Sequence, residues 1–184
     1  AGSDFSFDFS FEGKPTPSFH PKIESFFQRI DQYVPFLKDH HLSIKSKNSF
    51  PHSSGIASSA SGMSALALCI LSIEKEGCPD ISESFFLKKA SFLARLGSGS
   101  AARSVEGPLV TWGSSESFED SSNFYGTAIS SEIHSVFKNY RDTILLIDKG
   151  QKKVSSTVGH NLMNNHLYAA TRFKQAHENT ALLK

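Results

Sequence analysis

Phe50-Pro51-His52-Ser53-Ser54-Gly55-Ile56-Ala57-Ser58-Ser59-Ala60-Ser61-Gly62 is a turn of small residues that runs directly into an apolar helix, Met63 to Ile73. Small side chains let a backbone curl closely around a ligand, and Gly55 tolerates a positive φ that other residues resist. The first N–H groups of a helix have no partner within it, and together with the helix dipole they attract an anion. The stretch therefore reads as a phosphate or carboxylate cradle made of main chain and of the Ser58 and Ser59 hydroxyls. It lacks the Lys of G-x-x-x-x-G-K-[ST], and G-x-G-x-x-G is absent too. Read for structure alone, the same composition is a flexible turn before a close-packed helix.

Upstream, Phe5, Phe7, Phe9 and Phe11 alternate with Ser6, Asp8, Ser10 and Glu12, which predicts a half-buried strand paired inside a sheet. Gly13, Pro15 and Pro17 end it. Ile23, Phe26, Phe27, Ile30 and Val34 recur at helical spacing and predict one amphipathic helix over Pro21 to Leu37. A short strand around Leu42 and Ile44 then delivers the chain into the small-residue turn.

Downstream, the apolar helix is expected to end near Gly77, before Pro79. Asp80 and Glu83 read as a capping pair for a further helix whose buried side is Ile81, Phe85, Phe86, Leu87, Ala90, Phe92 and Leu93. A second small-residue turn follows, Gly97-Ser98-Gly99-Ser100-Ala101-Ala102-Arg103-Ser104, and then a strand over Leu109 to Trp112 with Trp112 in the core. Ser114 to Asn123 is polar and acidic and reads as an irregular loop. Ile144 to Asp148 predicts a covered strand. Beyond Lys152-Lys153-Val154-Ser155-Ser156-Thr157-Val158-Gly159-His160, one long helix is expected to about Leu183.

The second turn offers hydroxyls and a guanidinium, and Arg grips an oxyanion through two parallel N–H bonds. Its structural alternative is a helix end with a surface Arg. The third places hydroxyls at a loop-to-helix junction, where they serve either a diphosphate or an N-cap.

Pro-x-x-x-Gly-Ile-Ala-Ser-Ser-Ala resembles the ATP-phosphate loop of the galactokinase, homoserine kinase, mevalonate kinase and phosphomevalonate kinase superfamily. With Asn48 through Pro51 included, it is most similar to the mevalonate diphosphate decarboxylase family. Gly-Ser-Gly-Ser-Ala-x-Arg-Ser resembles that family's substrate signature, and Lys152 through Gly159 resembles its Lys-Lys-x-x-Ser-Ser-Thr-x-Gly-Met. The three motifs stand in the family's order and cover nearly the whole chain. The resemblance implies ATP binding by Pro51, Ser53, Ser54, Gly55, Ile56, Ala57, Ser58, Ser59 and Ser61. It implies acceptor binding by Ser98, Ser100, Arg103, Ser155 and Ser156, with Mg2+ accompanying ATP at Ser58 or Ser59. The implied reaction is ATP-dependent decarboxylation of mevalonate 5-diphosphate to isopentenyl diphosphate in isoprenoid synthesis. The alternative is a related kinase acting on mevalonate or its phosphate without decarboxylation, and a binding or oligomerisation module is the non-enzymatic reading.

The chain departs from the family at Ile56 for Leu, at His52-Ser53-Ser54 for Thr-Ala-Ala, at Ala102 for Cys or Ser, and at His160 for Met. The family's Lys-Tyr-Trp-Gly-Lys-like run and its Asp-Ala-Gly motif do not occur, so no catalytic residue is assigned. The expectation is a fragment of a longer enzyme that is inactive alone. The implied fold is α+β: a ribosomal protein S5 domain 2-like domain over residues 1–140, with helices on one side of a mixed sheet. Residues 141–184 would begin a ferredoxin-like domain. Family members are commonly homodimers.

Composition is consistent with this. The 184 residues carry a formal net charge of +1 with 39% hydrophobic and 20% charged residues, which gives no electrostatic case for a nucleic-acid or membrane partner. Cys69 and Cys78 are expected to be free thiols, and the expected location is cytoplasmic.

Overall fold

The computed structural model describes residues 5–50, 57–129, 133–139, 141, 143–145 and 156–182. Its order begins with β1 (Ser6–Phe11), β2 (Lys14–Pro15), α1 (His20–Ile30) and β3 (His41–Ser46). There follow α2 (Ser58–Gly77), α3 (Glu83–Gly97), a 3₁₀ turn Gly99–Ser104, β4 (Val110–Thr111) and β5 (Thr127–Ala128). Short α4 (Ser135–Lys138), α5 (Ser156–Asn161) and α6 (Ala169–Leu182) complete it. The class is α+β.

The alternating phenylalanines form the central strand of a mixed sheet ordered β2-β1-β3, antiparallel to β2 and parallel to β3. The parallel register sets Phe7 opposite Leu42 and Phe9 opposite Ile44, so the apolar sets of both strands share one face. Helix α1 covers that face: Phe27 meets Phe5 at 5.5 Å and Phe7 edge-on at 5.3 Å between ring centroids. Each fully buried aromatic or branched side chain contributes about 1.5–3 kcal/mol. On the other face Ser6, Asp8 and His41 are exposed and linked, His41 standing 2.7 Å from the Ser6 hydroxyl and 3.1 Å from the Asp8 carboxylate.

Helices α2 and α3 pack on one another and on α1, burying Ala67, Ile70, Leu71, Ala90, Leu93 and Ala94 with Ile23, Phe26 and Ile30. The Lys89 ammonium reaches Glu74 on α2 at 2.6 Å, half-shielded from water.

Several expectations are corrected. The helix over Pro21 to Leu37 stops at Ile30 and continues as 3₁₀ turns at Asp31–Tyr33 and Pro35–Asp39. Pro35 disfavours helical backbone at Val34, which sits at φ −143°, yet Val34 and Leu37 still reach the core. The cap of α3 is Ser82, whose hydroxyl accepts the Phe85 N–H at 3.2 Å, rather than Asp80. Phe85 is largely exposed, and Ser91 takes a core position instead. Trp112 is also exposed; its indole N–H donates to the Asn123 carbonyl and its ring lies against Gly99.

Ser114 to Asn123 is an organised loop. Ser114 N–H donates to the Asn123 side chain, and Ser115 and Ser121 exchange two bonds at 2.9 Å. The C-terminal stretch is two helices instead of one, interrupted by turns with Asn165 at φ +61°, and α6 buries no residue. Of the expected strand Ile144 to Asp148, Ile144 and Leu145 are exposed outside any strand, and the remainder lies outside the described residues. Both cysteines are free and exposed. No helix among the described residues is long and apolar enough to cross a membrane.

Candidate functional site

Pro51, Ser53, Ser54, Gly55 and Ile56 of the first turn, and Ser155 of the third, lie outside the described residues, as does His52. Ser156 opens α5, and its side chain is not described. What is described of the first motif is its junction with α2.

Ala57 occupies the N-cap of α2 in the left-handed region, φ +49° and ψ +32°. An alanine there carries about 1–2 kcal/mol of backbone strain. Gly55, noted in the sequence for its tolerance of a positive φ, lies outside the described residues; the left-handed residue described at this junction is Ala57. No side chain caps this helix. The Ala57 carbonyl takes the Ala60 N–H at 3.0 Å and the Ser61 N–H at 3.4 Å, so the N–H groups just before them point out of the helix without a capping side chain. Ser58 and Ser59 are half-buried beside them, and Ser61 is exposed.

An open groove of about 570 Å³ runs from this junction between α2, β3 and α1. Asn48, Ser58 and Ser59 line its polar end, and Phe9, Phe11, Ile44, Met63 and Ile70 line its apolar length. Lys22 of α1 is its one basic side chain besides Lys45 of the edge strand. Lys22 is exposed overall, yet partial desolvation lowers its pKa from the ordinary lysine value. No acidic side chain pairs with it among the described residues. A slot with an uncapped helix start, hydroxyls and a lysine suits an anion with an apolar appendage.

The second motif forms the 3₁₀ turn after α3. Ser98 leads into it from extended backbone, Ser98 and Ser100 are half-buried, and Arg103 is exposed. Packing of α2 against this turn brings the Ser98 hydroxyl to 3.4 Å from that of Ser59. Ser98, Ser100 and Arg103 are not among the residues that line the groove, although Ser59, which Ser98 approaches, is. The first two motifs thus meet through one pair of hydroxyls across 39 residues of sequence.

Asn48 belongs to the first motif as read from the sequence, but neither it nor Lys22 is singled out there as lining a groove. Asn48 sits next to the small-residue turn, a positional signal. Lys22 carries none, since the groove exists only after α1, β3 and α2 have packed. The Ser6–His41–Asp8 link lies on the exposed strand face and does not line the groove. No group of three or more His, Cys, Asp or Glu residues gathers into a metal site among the described residues.

The family described as diphosphomevalonate decarboxylase-like N-terminal domain matches residues 6–123. The diphosphomevalonate decarboxylase of Gibberella zeae is 36% identical over 132 residues, which is 72% of this chain and 32% of the relative. The Saccharomyces cerevisiae enzyme of the same name is 34% identical over 70% of this chain and 30% of its own length. That of Rattus norvegicus is 34% identical over 68% of this chain and 28% of its own. The chain therefore spans about a third of the length of the curated relatives it matches. No solved structure matches it.

Proposed function

The chain belongs to the diphosphomevalonate decarboxylase-like family, and from that premise we propose that the protein carrying it decarboxylates mevalonate 5-diphosphate at the expense of ATP, giving isopentenyl diphosphate. The observation that carries this reading is the approach of Ser59 to Ser98 within 3.4 Å. A phosphoryl transfer needs donor and acceptor held side by side, and positioning supplies most of its acceleration.

In this reading, the start of α2 with Ser58 and Ser59 holds the ATP phosphates, and Pro51 to Ile56 before it contribute to the cradle. Ser98, Ser100 and Arg103 hold the negative groups of the acceptor, joined by Ser155 and Ser156. The uncapped N-terminus of α2 fits a phosphate chain for the reasons of charge and free N–H donors given above. Mg2+, when bound, neutralises charge on that chain; Ser58 or Ser59 offers it a hydroxyl. The γ-phosphoryl group passes to the acceptor hydroxyl, and phosphate then leaves as carbon dioxide is expelled. The chain's own contribution is to bind and align the reactants.

The small mixed sheet with helices over one face supports an S5 domain 2-like fold for residues 1–140, with a second domain, ferredoxin-like, beginning near residue 141. The proposed location is the cytoplasm, and the proposed assembly a homodimer. The deciding experiment supplies the full-length protein with ATP and mevalonate 5-diphosphate. Equal release of ADP and carbon dioxide supports the decarboxylase. ADP without carbon dioxide assigns a kinase, and no ADP at all removes the enzymatic reading.

A further inference from the structure

Ser91 lies on the buried face of α3, 2% exposed. Its hydroxyl donates to the Ala102 carbonyl at 2.7 Å and accepts the Gly126 N–H at 2.8 Å. Both capacities are used, and both partners are main chain. A Cβ on Gly126 would come within 2.5 Å of the Ala102 carbonyl oxygen and 2.8 Å of the Val110 side chain. The two backbones touch there, and only glycine fits. Arg95, one turn further along α3, donates from Nε to the Phe124 carbonyl at 3.0 Å. Segment 124–126 is therefore fastened twice to α3, and the 3₁₀ turn is fastened to both through one hydroxyl.

Ala102 stands between Ser100 and Arg103 in that turn. A short 3₁₀ helix has poor internal hydrogen-bond geometry, so its orientation depends on what grips it from outside. A buried hydroxyl satisfied on both sides is a rigid grip, because breaking it strands two buried main-chain groups. We propose that Ser91 is a positioning residue for the acceptor site, holding the Ala102 carbonyl so that Ser100 and Arg103 present their polar ends to the acceptor, with Gly126 as its obligatory partner. The proposal rests on the reading of this turn as the acceptor site. Neither hydrogen bond of Ser91 reaches the start of α2, so the larger effect is expected on the acceptor.

The test is steady-state kinetics of the full-length protein, with KM measured separately for ATP and for mevalonate 5-diphosphate. Ser91→Ala is expected to raise the acceptor KM about tenfold while ATP KM stays within about twofold. Ser91→Cys, which keeps a weak donor and acceptor of similar size, is expected to fall between wild type and Ser91→Ala, and it decides the matter if Ser91→Ala does not fold. An unchanged acceptor KM in folded variants overturns the proposal, as does an equal rise in both KM values, which marks a merely structural role. Arg103→Ala is the control. If it raises acceptor KM and the Ser91 variants do not, only the positioning role falls; if it leaves acceptor KM unmoved, the acceptor reading of the turn falls and takes this proposal with it.

Discussion

Gly97 and Met63 are in such close contact that a Cβ added to Gly97 would lie 2.6 Å from the Met63 sulfur and 2.9 Å from the Phe26 ring. The last residue of α3 is thereby pressed against both α2 and α1, just before the 3₁₀ turn Gly99–Ser104. Arg29 of α1 reinforces the junction by donating to the Leu96 carbonyl at 2.9 Å. Gly97→Ala is expected to destabilise the protein by about 1–3 kcal/mol, because the methyl group must displace a buried sulfur and an aromatic ring. Urea denaturation of the variant beside the wild type measures it, and an unchanged midpoint contradicts the packing described.

Ala57 bears a left-handed backbone with no side-chain cap to compensate. Ala57→Gly relieves that strain, partly offset by the greater freedom glycine has when unfolded. The variant is expected to gain up to about 1 kcal/mol. A loss of stability on thermal unfolding would show that the helix start adopts another conformation.

Ser58 neighbours Ser59 in the first motif and Arg103 belongs to the turn that Ser98 leads into, and the proposed division of roles between the two motifs predicts a division in kinetics. In the full-length protein, Ser58→Ala is expected to raise ATP KM about tenfold and leave acceptor KM near wild type, and Arg103→Ala to do the reverse. The opposite pattern reverses the two halves of the site.

Lys22 has its pKa lowered by partial desolvation of the charged form. Between its folded and unfolded pKa values the unfolded chain binds more protons, so Lys22 contributes a stability that rises with pH in that alkaline window, up to the ordinary lysine value of 10.5. At neutral pH the ammonium is charged in both states, and the folded protein bears a desolvation cost that solvent reduces because Lys22 is exposed. Lys22→Met is therefore expected to be slightly more stable than wild type at pH 7, with the advantage shrinking toward pH 10. Denaturation midpoints of both proteins across pH 7–10 test this, and an advantage independent of pH would assign it to packing alone.

Period-two phenylalanines and the 3.6-residue spacing of Ile23, Phe26, Phe27 and Ile30 made β1 and α1 legible, because burial on one face must follow backbone geometry. The ends were less legible. Pro35 kept the helical run from continuing through Val34, beyond the end of α1 at Ile30, and Ser82 took the cap of α3 in place of Asp80, its hydroxyl accepting the Phe85 N–H. Phe85 and Trp112 were read as core from hydrophobicity, yet how much of a ring is covered depends on which elements arrive beside it.

The candidate site divides along the same line. Local composition alone identified the small-residue turns, since phosphate binding through main-chain N–H groups leaves its mark as Gly, Ser and Ala in one short run. Their adjacency belongs to the tertiary structure. Ser59 and Ser98 are 39 residues apart and meet only because α2 and α3 pack as antiparallel neighbours, and Ser91 reaches Ala102 and Gly126 only once three segments converge. Residue types declare what a segment can bind; distances between segments are set by the packing of side chains far apart in the chain, and no local pattern encodes them.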